Sequence, residues 1–229
     1  MRSDSAEAVS QGGSGLSAGD APLEAILLAA GESRRMGYPK PLLKLGSRTF
    51  IEILADAMLQ SAARLIVVVG AHASAIRSAI PADPRIAVVD NPNYLRGQLS
   101  SIKAALPHIG RKAGAVLIHL TDHPMVRAET FTAVVDGHRR LGVSIAIARY
   151  QGRRGHPVLF ERGLFAELAA APEDQGARAV VDADPARVGY IDVDDPGVLI
   201  DLDTPEDLER AGLALPPNAG IVPCRHNAR

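Results

Sequence analysis

Five short apolar segments, separated by stretches with helical spacing, constrain the fold of this chain more than any other feature. They span residues 24–29, 64–70, 85–90, 113–120 and 143–149. Most are apolar at consecutive positions rather than at alternate ones, as expected for strands that are buried on both faces of a parallel sheet. The alternation of such strands with helices predicts an α/β fold, a three-layer sandwich built on a mostly parallel sheet.

Helices are expected between these strands. The first begins after Thr49, a suitable N-cap for the apolar face that starts at Phe50. The next is expected to be capped by Ser100 or Ser101 and to run through Leu106. These helices would cover the faces of the sheet.

A third helix is expected over residues 128–141, where a glycine follows its last turn. The late segment "VLIDLDTPEDLERAGL" predicts a short strand that carries Asp201 and Asp203. Thr204 is then the expected N-cap of a last helix, and Asp207 closes a capping box with it. This pattern places two acidic residues at a strand-to-helix turn.

Residues 23–213 contain no internal repeat and no linker rich in Pro and Gly, so we predict a single domain there. Residues 1–22 are rich in Gly, Ser and Ala and lack the apolar segment of a secretion signal, which predicts a disordered extension. Residues 214–229 contain three prolines and no apolar period, and they predict a loose C-terminal tail.

The composition argues against two classes of partner. The chain has 25 basic and 26 acidic side chains, no Trp and 3% aromatic residues, which disfavours nucleic acid. Its apolar runs are too short to cross a membrane. The single cysteine, Cys224, cannot form an internal disulfide and suits the reducing cytoplasm.

The segment "ILLAAGESRRMGYPK", residues 26–40, is the first candidate binding loop. It follows the first strand, and ligands of open α/β sheets bind at the carboxyl ends of strands. Gly31 allows a close approach or a positive φ, and Arg34, Arg35 and Lys40 supply charge for phosphate oxygens. The loop matches neither the P-loop nor the dinucleotide fingerprint. A solvated basic turn is the alternative.

Charge is distributed unevenly along the chain. Five basic residues fall within residues 34–48, and eight acidic residues fall within residues 192–209 with no basic residue among them. The first group suits a polyphosphate and the second a hard divalent cation, so together they suit a metal nucleotide. Two unrelated solvated surfaces are the alternative.

Asp122 ends a buried strand in the segment "AVLIHLTDHPMV". At that position it is a candidate Mg²⁺ ligand, because Mg²⁺ binds one or two carboxylates together with substrate phosphates. Capping of the following turn is the alternative. A zinc site with His119 and His123 is disfavoured, because His119 lies inside the strand and no third ligand has catalytic spacing. We expect His119 to be a core residue.

Two polar segments are candidates for further contacts. "NPNYLRGQLSSIKAAL" offers Gly97 and the hydroxyls of Ser100 and Ser101 to a ribose, a base or a phosphate, although an ordinary capped loop explains it equally well. "RRGHPVLF" places residues 153–156 before a short strand, where they suit an anionic second substrate or form an exposed turn.

Taken in order, these segments resemble one family, the MobA-like NTP transferases that act on the molybdenum cofactor. "LAAGESRRMGYPKPLLKLG" resembles the family's nucleotide-binding signature, and "TDHPMV" its metal-binding turn. "GHPVLF" is similar to its second-substrate strand and "IDLDTPEDL" to its late acidic turn. The resemblance covers residues 24 to about 213. It implies a Rossmann-like fold, similar to nucleotide-diphospho-sugar transferases, and transfer of a nucleotidyl group with release of pyrophosphate.

The resemblance also assigns roles to residues. Arg35 and Lys40 would hold the triphosphate and, with Asp122, form the catalytic group. Asp122 would bind Mg²⁺, with Asp201 or Asp203 as the second acid. The residues implied at the nucleotide are Leu28, Ala29, Ala30, Gly31, Ser33, Arg35, Lys40, Gly97, Ser100 and Ser101.

At the second substrate, the resemblance implies Arg154 and His156. The segment "LAAG" is similar to the cytidylyl branch, whereas the guanylyl branch tends towards "LAGG". The methyl group of Ala30 takes space that glycine would leave open, which favours a pyrimidine. His123 stands where cytidylyl members often have glutamine. The implied partners are therefore CTP and molybdopterin, with a sugar phosphate as an alternative acceptor.

Two function classes compete with this prediction. The chain is alternatively a non-catalytic nucleotide-binding partner of a molybdoenzyme or its chaperone, although the presence of Arg35, Lys40 and Asp122 favours an enzyme. An NAD-dependent oxidoreductase is disfavoured because the dinucleotide fingerprint is missing.

Overall fold

A computed structural model describes residues 21–216 of the protein. The strands are β1 Leu23–Ala29, β2 Lys44–Leu45, β3 Arg48–Thr49, β4 Arg64–Val69, β5 Ile86–Asp90, β6 Ala115–Leu120, β7 Ile145–Tyr150, β8 Arg153–Glu161 and β9 Val188–Asp192. The α-helices are α1 Phe50–Met58, α2 Ala73–Ala79, α3 Gln98–Ala105, α4 Ala128–Leu141, α5 Phe165–Ala170, α6 Arg178–Asp182 and α7 Pro205–Arg210.

A sheet of seven strands, in the order β5-β4-β1-β6-β8-β7-β9, forms the centre of the fold. β1 pairs in parallel with β4 and β6, and β7 pairs in parallel with β9. β8 runs antiparallel to both of its neighbours. Because β8 runs the other way, its amino end lies at the edge of the sheet where the parallel strands have their carboxyl ends.

Helices cover both faces of this sheet. Apolar side chains of α1, α2 and α4 pack on one face, and those of α3, α5 and α6 pack on the other. Every residue of β1 is buried, because the strand is covered on both sides. The predicted three-layer α/β sandwich is thus confirmed, and the continuous apolar runs have the physical cause that was expected.

Several local predictions are confirmed. Thr49 is the N-cap of α1, with a capping box to Glu52, and α4 spans the predicted residues and ends at Gly142. α3 is present and reaches its C-cap at Leu106, but its predicted start was wrong, because Gly97 is the N-cap and neither Ser100 nor Ser101 caps the helix. Both serines lie inside the first turn of that helix.

The late acidic segment differs from its prediction. No strand carries Asp201 or Asp203; after a 3-10 turn at Pro196–Leu199 the two residues lie in irregular backbone. Pro196 sets up this turn, whose backbone groups bond within the segment instead of with a strand. The capping box of Thr204 and Asp207 on α7 is present as predicted.

β8 also begins earlier than expected. Arg154 and His156 lie within this strand rather than in a loop before it. β9, the last strand of the sheet, had not been predicted. It is short and alternates between buried and exposed residues, as an edge strand does.

Most of the predicted N-terminal extension, residues 1–22, and of the predicted tail, residues 214–229, lies outside the described residues. Leu215 packs against a small apolar cluster that includes Met36 and Phe50, so the ordered part reaches slightly past residue 213. The boundaries of the single domain at 23–213 stay a prediction. Among residues 21–216, no helix has both the length and the apolar character needed to cross a membrane.

Candidate functional site

A cavity of about 240 Å³ opens at the carboxyl ends of β1 and β6. Eight of the ten residues predicted at the nucleotide line it: Leu28, Ala29, Ala30, Gly31, Ser33, Lys40, Gly97 and Ser101. Asp122, the predicted metal ligand, lines it as well. The cavity is also lined by five residues that were not predicted there: Pro41, Tyr94, Gln98, Leu120 and Thr121. We call this space the nucleotide cavity.

The loop after β1 differs in one respect from its predicted conformation. Gly31 does not have a positive φ, and a Cβ at that position would meet open space. The positive φ values fall instead at Ser33 (53°) and Gly37 (68°). The Ser33 hydroxyl accepts a hydrogen bond from the backbone N–H of Lys40 at 3.0 Å, so the loop holds the base of Lys40 in place.

Lys40 lies at the centre of a charged cluster. Its Nζ donates to Asp203 Oδ1 at 2.6 Å and to Asp122 Oδ2 at 3.1 Å. Arg35 donates to the other oxygen of Asp203 at 2.6 Å, from a side chain that is 73% exposed. We call these four residues the charged centre. Within residues 21–216, Arg34 pairs with Glu32 alone, and it lies outside the charged centre.

The charged centre fixes the ionisation of two of its members. Burial opposes the charge on Lys40, but Asp122 and Asp203 outweigh it and raise the lysine pKa. Burial also opposes ionisation of Asp203, yet the hydrogen bond and the charge of Lys40, aided by Arg35, lower the pKa of that carboxyl. Both groups are therefore charged at neutral pH.

Backbone contacts bring the two acids together although they are 81 residues apart in the chain. Thr121 donates to the carbonyl of Leu28 from its N–H and from its hydroxyl, which fixes the end of β6 beside β1. The N–H of Leu202 donates to the carbonyl of Asp122 at 2.8 Å. The N–H of Asp203 donates to Asp207, so the capping box also orients the second acid.

Asp122 has the features of a ligand for a hard cation. Its Oδ1 is buried and has no hydrogen-bond partner within residues 21–216. A buried carboxylate oxygen without a donor is costly, and a metal ion would satisfy it. Asp122 and Asp203, which Lys40 joins, therefore fit Mg²⁺ as a pair of oxygen donors.

Asp201, the alternative second acid, lies elsewhere. Its side chain is exposed and lines a neighbouring cavity rather than the charged centre. The structure thus separates two residues that the sequence left equivalent and places Asp203 beside Asp122. In the described part of the chain, no group of three or more His, Cys, Asp or Glu side chains is arranged to hold a metal.

Asn91 organises the far wall of the nucleotide cavity, and the sequence analysis missed it. Its amide donates to the hydroxyls of Ser100 and Ser101 at 2.8 and 3.0 Å. Ser100 in turn donates to the carbonyl of Gly97 and does not line the cavity, contrary to its predicted role at the nucleotide. A buried Asn directly after β5 was the available sign of this network.

A second cavity, of about 520 Å³, adjoins the first. Its floor is apolar and includes Ile118, Ile147 and Phe160, and its rim carries guanidinium groups. The residues predicted for the second substrate, Arg154 and His156, both line it. We call it the acceptor cavity. The remaining arginines of its rim are Arg153 and Arg178.

Gln98 and Leu120 line both cavities, while Asp122 borders the first and His123 the second. The two spaces therefore meet beside the charged centre. An ion pair of 2.6 Å between Arg96 and Glu173 also joins segment 91–97 to the loop whose residues Gln175 and Gly176 line the acceptor cavity.

Three histidines cluster between the cavities. The ring centroids of His123 and His156 are 5.2 Å apart, and those of His119 lie 6.1 and 6.3 Å from them. His119 is fully buried, as predicted. Burial, together with the neighbouring imidazoles, lowers the pKa of His119 well below its ordinary value. Burial and the nearby His123 lower the pKa of His156 to about 4.

These shifts predict that acid destabilises the fold. Below about pH 6.5 the unfolded chain binds a proton at His156 that the folded protein takes up only near pH 4. The titration of His156 therefore leaves the free energy of unfolding unchanged above pH 6.5. As the pH falls towards 4, the same titration lowers the free energy of unfolding by about 2–3 kcal/mol. Urea denaturation at about pH 7.5 and 4.5 measures the loss, which we expect to be smaller in His156→Gln. His108→Gln, at an exposed histidine, should keep the wild-type pH dependence.

Comparisons with known proteins agree with the fold and with the motifs. Residues 25–188 match the MobA-like NTP transferase domain family. The molybdenum cofactor cytidylyltransferase of Escherichia coli (strain K12) is 27% identical over 186 residues, which cover 81% of this chain and 93% of that protein. A nucleotidyl transferase from Methanothermobacter thermautotroptrophicus shares the fold, with a TM-score of 0.71 at 20% identity over 83% of this chain and 95% of that one.

Two solved mycobacterial structures are also similar. The homologue of Mycobacterium tuberculosis Rv0371c from Mycobacterium sp. strain JC1 is 31% identical, with a TM-score of 0.71, and covers 86% of this chain and 96% of its own. Rv0371c from M. tuberculosis H37Rv in complex with manganese is 28% identical, with a TM-score of 0.64, and covers 82% and 97%. The likeness extends over nearly the whole described chain.

Proposed function

The chain belongs to the MobA-like NTP transferase family, and from that premise we propose that it transfers CMP from CTP to the phosphate of the molybdenum cofactor and releases pyrophosphate. The observation that carries the proposal is the position of the charged centre at the junction of two cavities. Lys40 and Asp122 line the nucleotide cavity, and the acceptor cavity begins at the adjacent residue His123. An acceptor phosphate and a nucleotide α-phosphate would thus meet beside these charges.

The reaction joins two anions, so the work of the protein is to position them and to neutralise charge. Arg154 and the other arginines of the rim would hold the acceptor phosphate, which attacks the α-phosphorus in line. The bond to the β-phosphate oxygen then breaks, and Lys40 and Arg35 would neutralise the departing pyrophosphate. No side chain needs to act as nucleophile or base, because the acceptor phosphate is already ionised near pH 7.

Mg²⁺ is the proposed cofactor, held by Asp122 and Asp203. When bound, it would withdraw charge from phosphoryl oxygens. This assignment is supported by the buried Oδ1 of Asp122, which accepts no hydrogen bond within residues 21–216. The manganese complex of Rv0371c gives further support, since Mn²⁺ and Mg²⁺ favour the same oxygen ligands.

Cytosine is the proposed base of the nucleotide substrate. Ala30 lines the nucleotide cavity, and its methyl group narrows the space available to a base. The E. coli relative, named as a cytidylyltransferase of the molybdenum cofactor, supports the same choice. Molybdopterin is the proposed acceptor, because a flat heterocycle suits an apolar floor and its phosphate suits a cationic rim. The product would pass to a molybdoenzyme or its chaperone in the cytoplasm.

A matrix of four NTPs against molybdopterin and a panel of sugar phosphates tests the proposal, with pyrophosphate release in the presence of Mg²⁺ as the measurement. We expect release only when CTP and molybdopterin are both present. Release with a sugar phosphate instead would assign a different acceptor to the same chemistry. Binding of CTP without release in any pair would favour the non-catalytic nucleotide-binding partner.

A further inference from the structure

The single ammonium group of Lys40 forms ion pairs with both acids of the charged centre, Asp122 and Asp203. Its Nζ lies 2.6 Å from Asp203 and 3.1 Å from Asp122, and its side chain is only 15% exposed. A cation shared between two carboxylates is also the arrangement that a divalent ion would adopt there. The ammonium group of Lys40 therefore bridges the two acids.

We propose that Lys40 acts as a placeholder for the metal: it holds the cation position until a nucleotide arrives, so that the divalent ion and the NTP bind together. This inference rests on the proposed function. Mg²⁺ held by these two carboxylates would compete with the ammonium for the same negative charge, and the two cations would repel each other.

The triphosphate supplies the force that moves the lysine. Its negative charges compete with the carboxylates for Lys40 and for Arg35. The Arg35 side chain is exposed and held by its ion pair with Asp203, so it can turn towards the nucleotide cavity once the triphosphate outcompetes that carboxylate. The backbone of Lys40 stays fixed by Ser33, so only the side chain has to swing. Its departure would uncover Asp122 and Asp203 at the moment when the phosphates provide the remaining oxygen ligands.

The placeholder predicts a specific effect on metal affinity. In the absence of nucleotide, Lys40→Met should bind Mn²⁺ at least about tenfold more tightly than the wild type, because methionine keeps the length of the side chain but removes its charge. The measurement is free Mn²⁺ by electron paramagnetic resonance during titration of the full-length protein. No turnover is needed for this readout.

Three variants locate the effect. Arg34→Met removes a charge from the same loop at an exposed residue outside the charged centre, and its Mn²⁺ affinity should equal that of the wild type. Lys40→Arg keeps the charge and should also bind weakly. The double variant Lys40→Met/Asp203→Asn should lose the gain, because one of the two uncovered carboxylates is gone.

Equal Mn²⁺ affinity for Lys40→Met and the wild type would overturn the inference, and so would an equal gain in Arg34→Met. Circular dichroism checks the fold of each variant, and Lys40→Gln replaces Lys40→Met with the same expected outcomes if the latter does not fold. Pyrophosphate release by the wild type separates the two proposals. Release without the Mn²⁺ effect refutes the placeholder alone, whereas the Mn²⁺ effect without release refutes the proposed reaction alone.

Discussion

Asp122→Asn is expected to lower the rate of pyrophosphate release at least about a thousandfold while leaving the fold intact. The amide has the shape of the carboxylate but lacks the charge that a cation at this position requires. The fold should survive because the contact that joins this residue to the late segment uses its backbone carbonyl, which accepts from Leu202. The measurements are kcat for CTP with molybdopterin and the thermal unfolding temperature.

Glu209→Gln is the matched control, since it neutralises an exposed carboxylate on α7 outside the charged centre. Its kcat should stay within about twofold of the wild type, as expected for a surface substitution. Near-normal turnover in Asp122→Asn would remove this residue from the metal site. A loss of the folded state in that variant would show instead that the charge holds the structure together.

Lys40→Ala should lower kcat/KM for CTP by about 10²–10³, with a higher KM and a lower kcat. KM rises because the triphosphate loses a contact in the ground state. kcat falls because negative charge grows on the departing pyrophosphate, and the same ammonium would neutralise it. Initial rates over a range of CTP concentrations at saturating acceptor separate the two effects.

Arg34→Ala provides the control for charge in the same loop, because this arginine is 72% exposed and, in the part of the chain that the structure describes, pairs with Glu32 alone. We expect its kinetics to match those of the wild type. If Lys40→Ala also behaved like the wild type, the loop after β1 would be an ordinary solvated basic turn. The nucleotide would then have to be held by other groups.

Local sequence predicted the parts of the fold that depend on local physics. The continuous apolar runs identified the parallel strands, since a strand covered on both faces is apolar at most of its positions. The N-cap at Thr49 and the capping box at Thr204 placed two helix starts to the residue, because their hydrogen bonds join positions only three apart. Fold class and the position of the first binding loop followed from these patterns.

What the sequence could not predict depends on contacts across the chain. β8 begins with polar residues, such as Arg153 and Arg154, so the sequence of its first part is typical of a loop. Asp201 and Asp203 were indistinguishable until the contact with Lys40, 163 residues from Asp203, separated them. Ser100 was predicted at the nucleotide because the sequence alone does not show that the folded chain brings the Asn91 amide within hydrogen-bond distance of its hydroxyl.

The segment 196–203 joins the two halves of the site in a way that limits how the protein can diversify. At one end it packs against Gly155 on β8, where a Cβ would overlap the carbonyl of Val198. At the other end Leu202 is tied to the backbone of Asp122. An insertion here would move the wall of the acceptor cavity and Asp203 together. Under the proposed reaction, a substitution of Arg154 on the rim of the acceptor cavity would change the contact to the acceptor without moving Asp203.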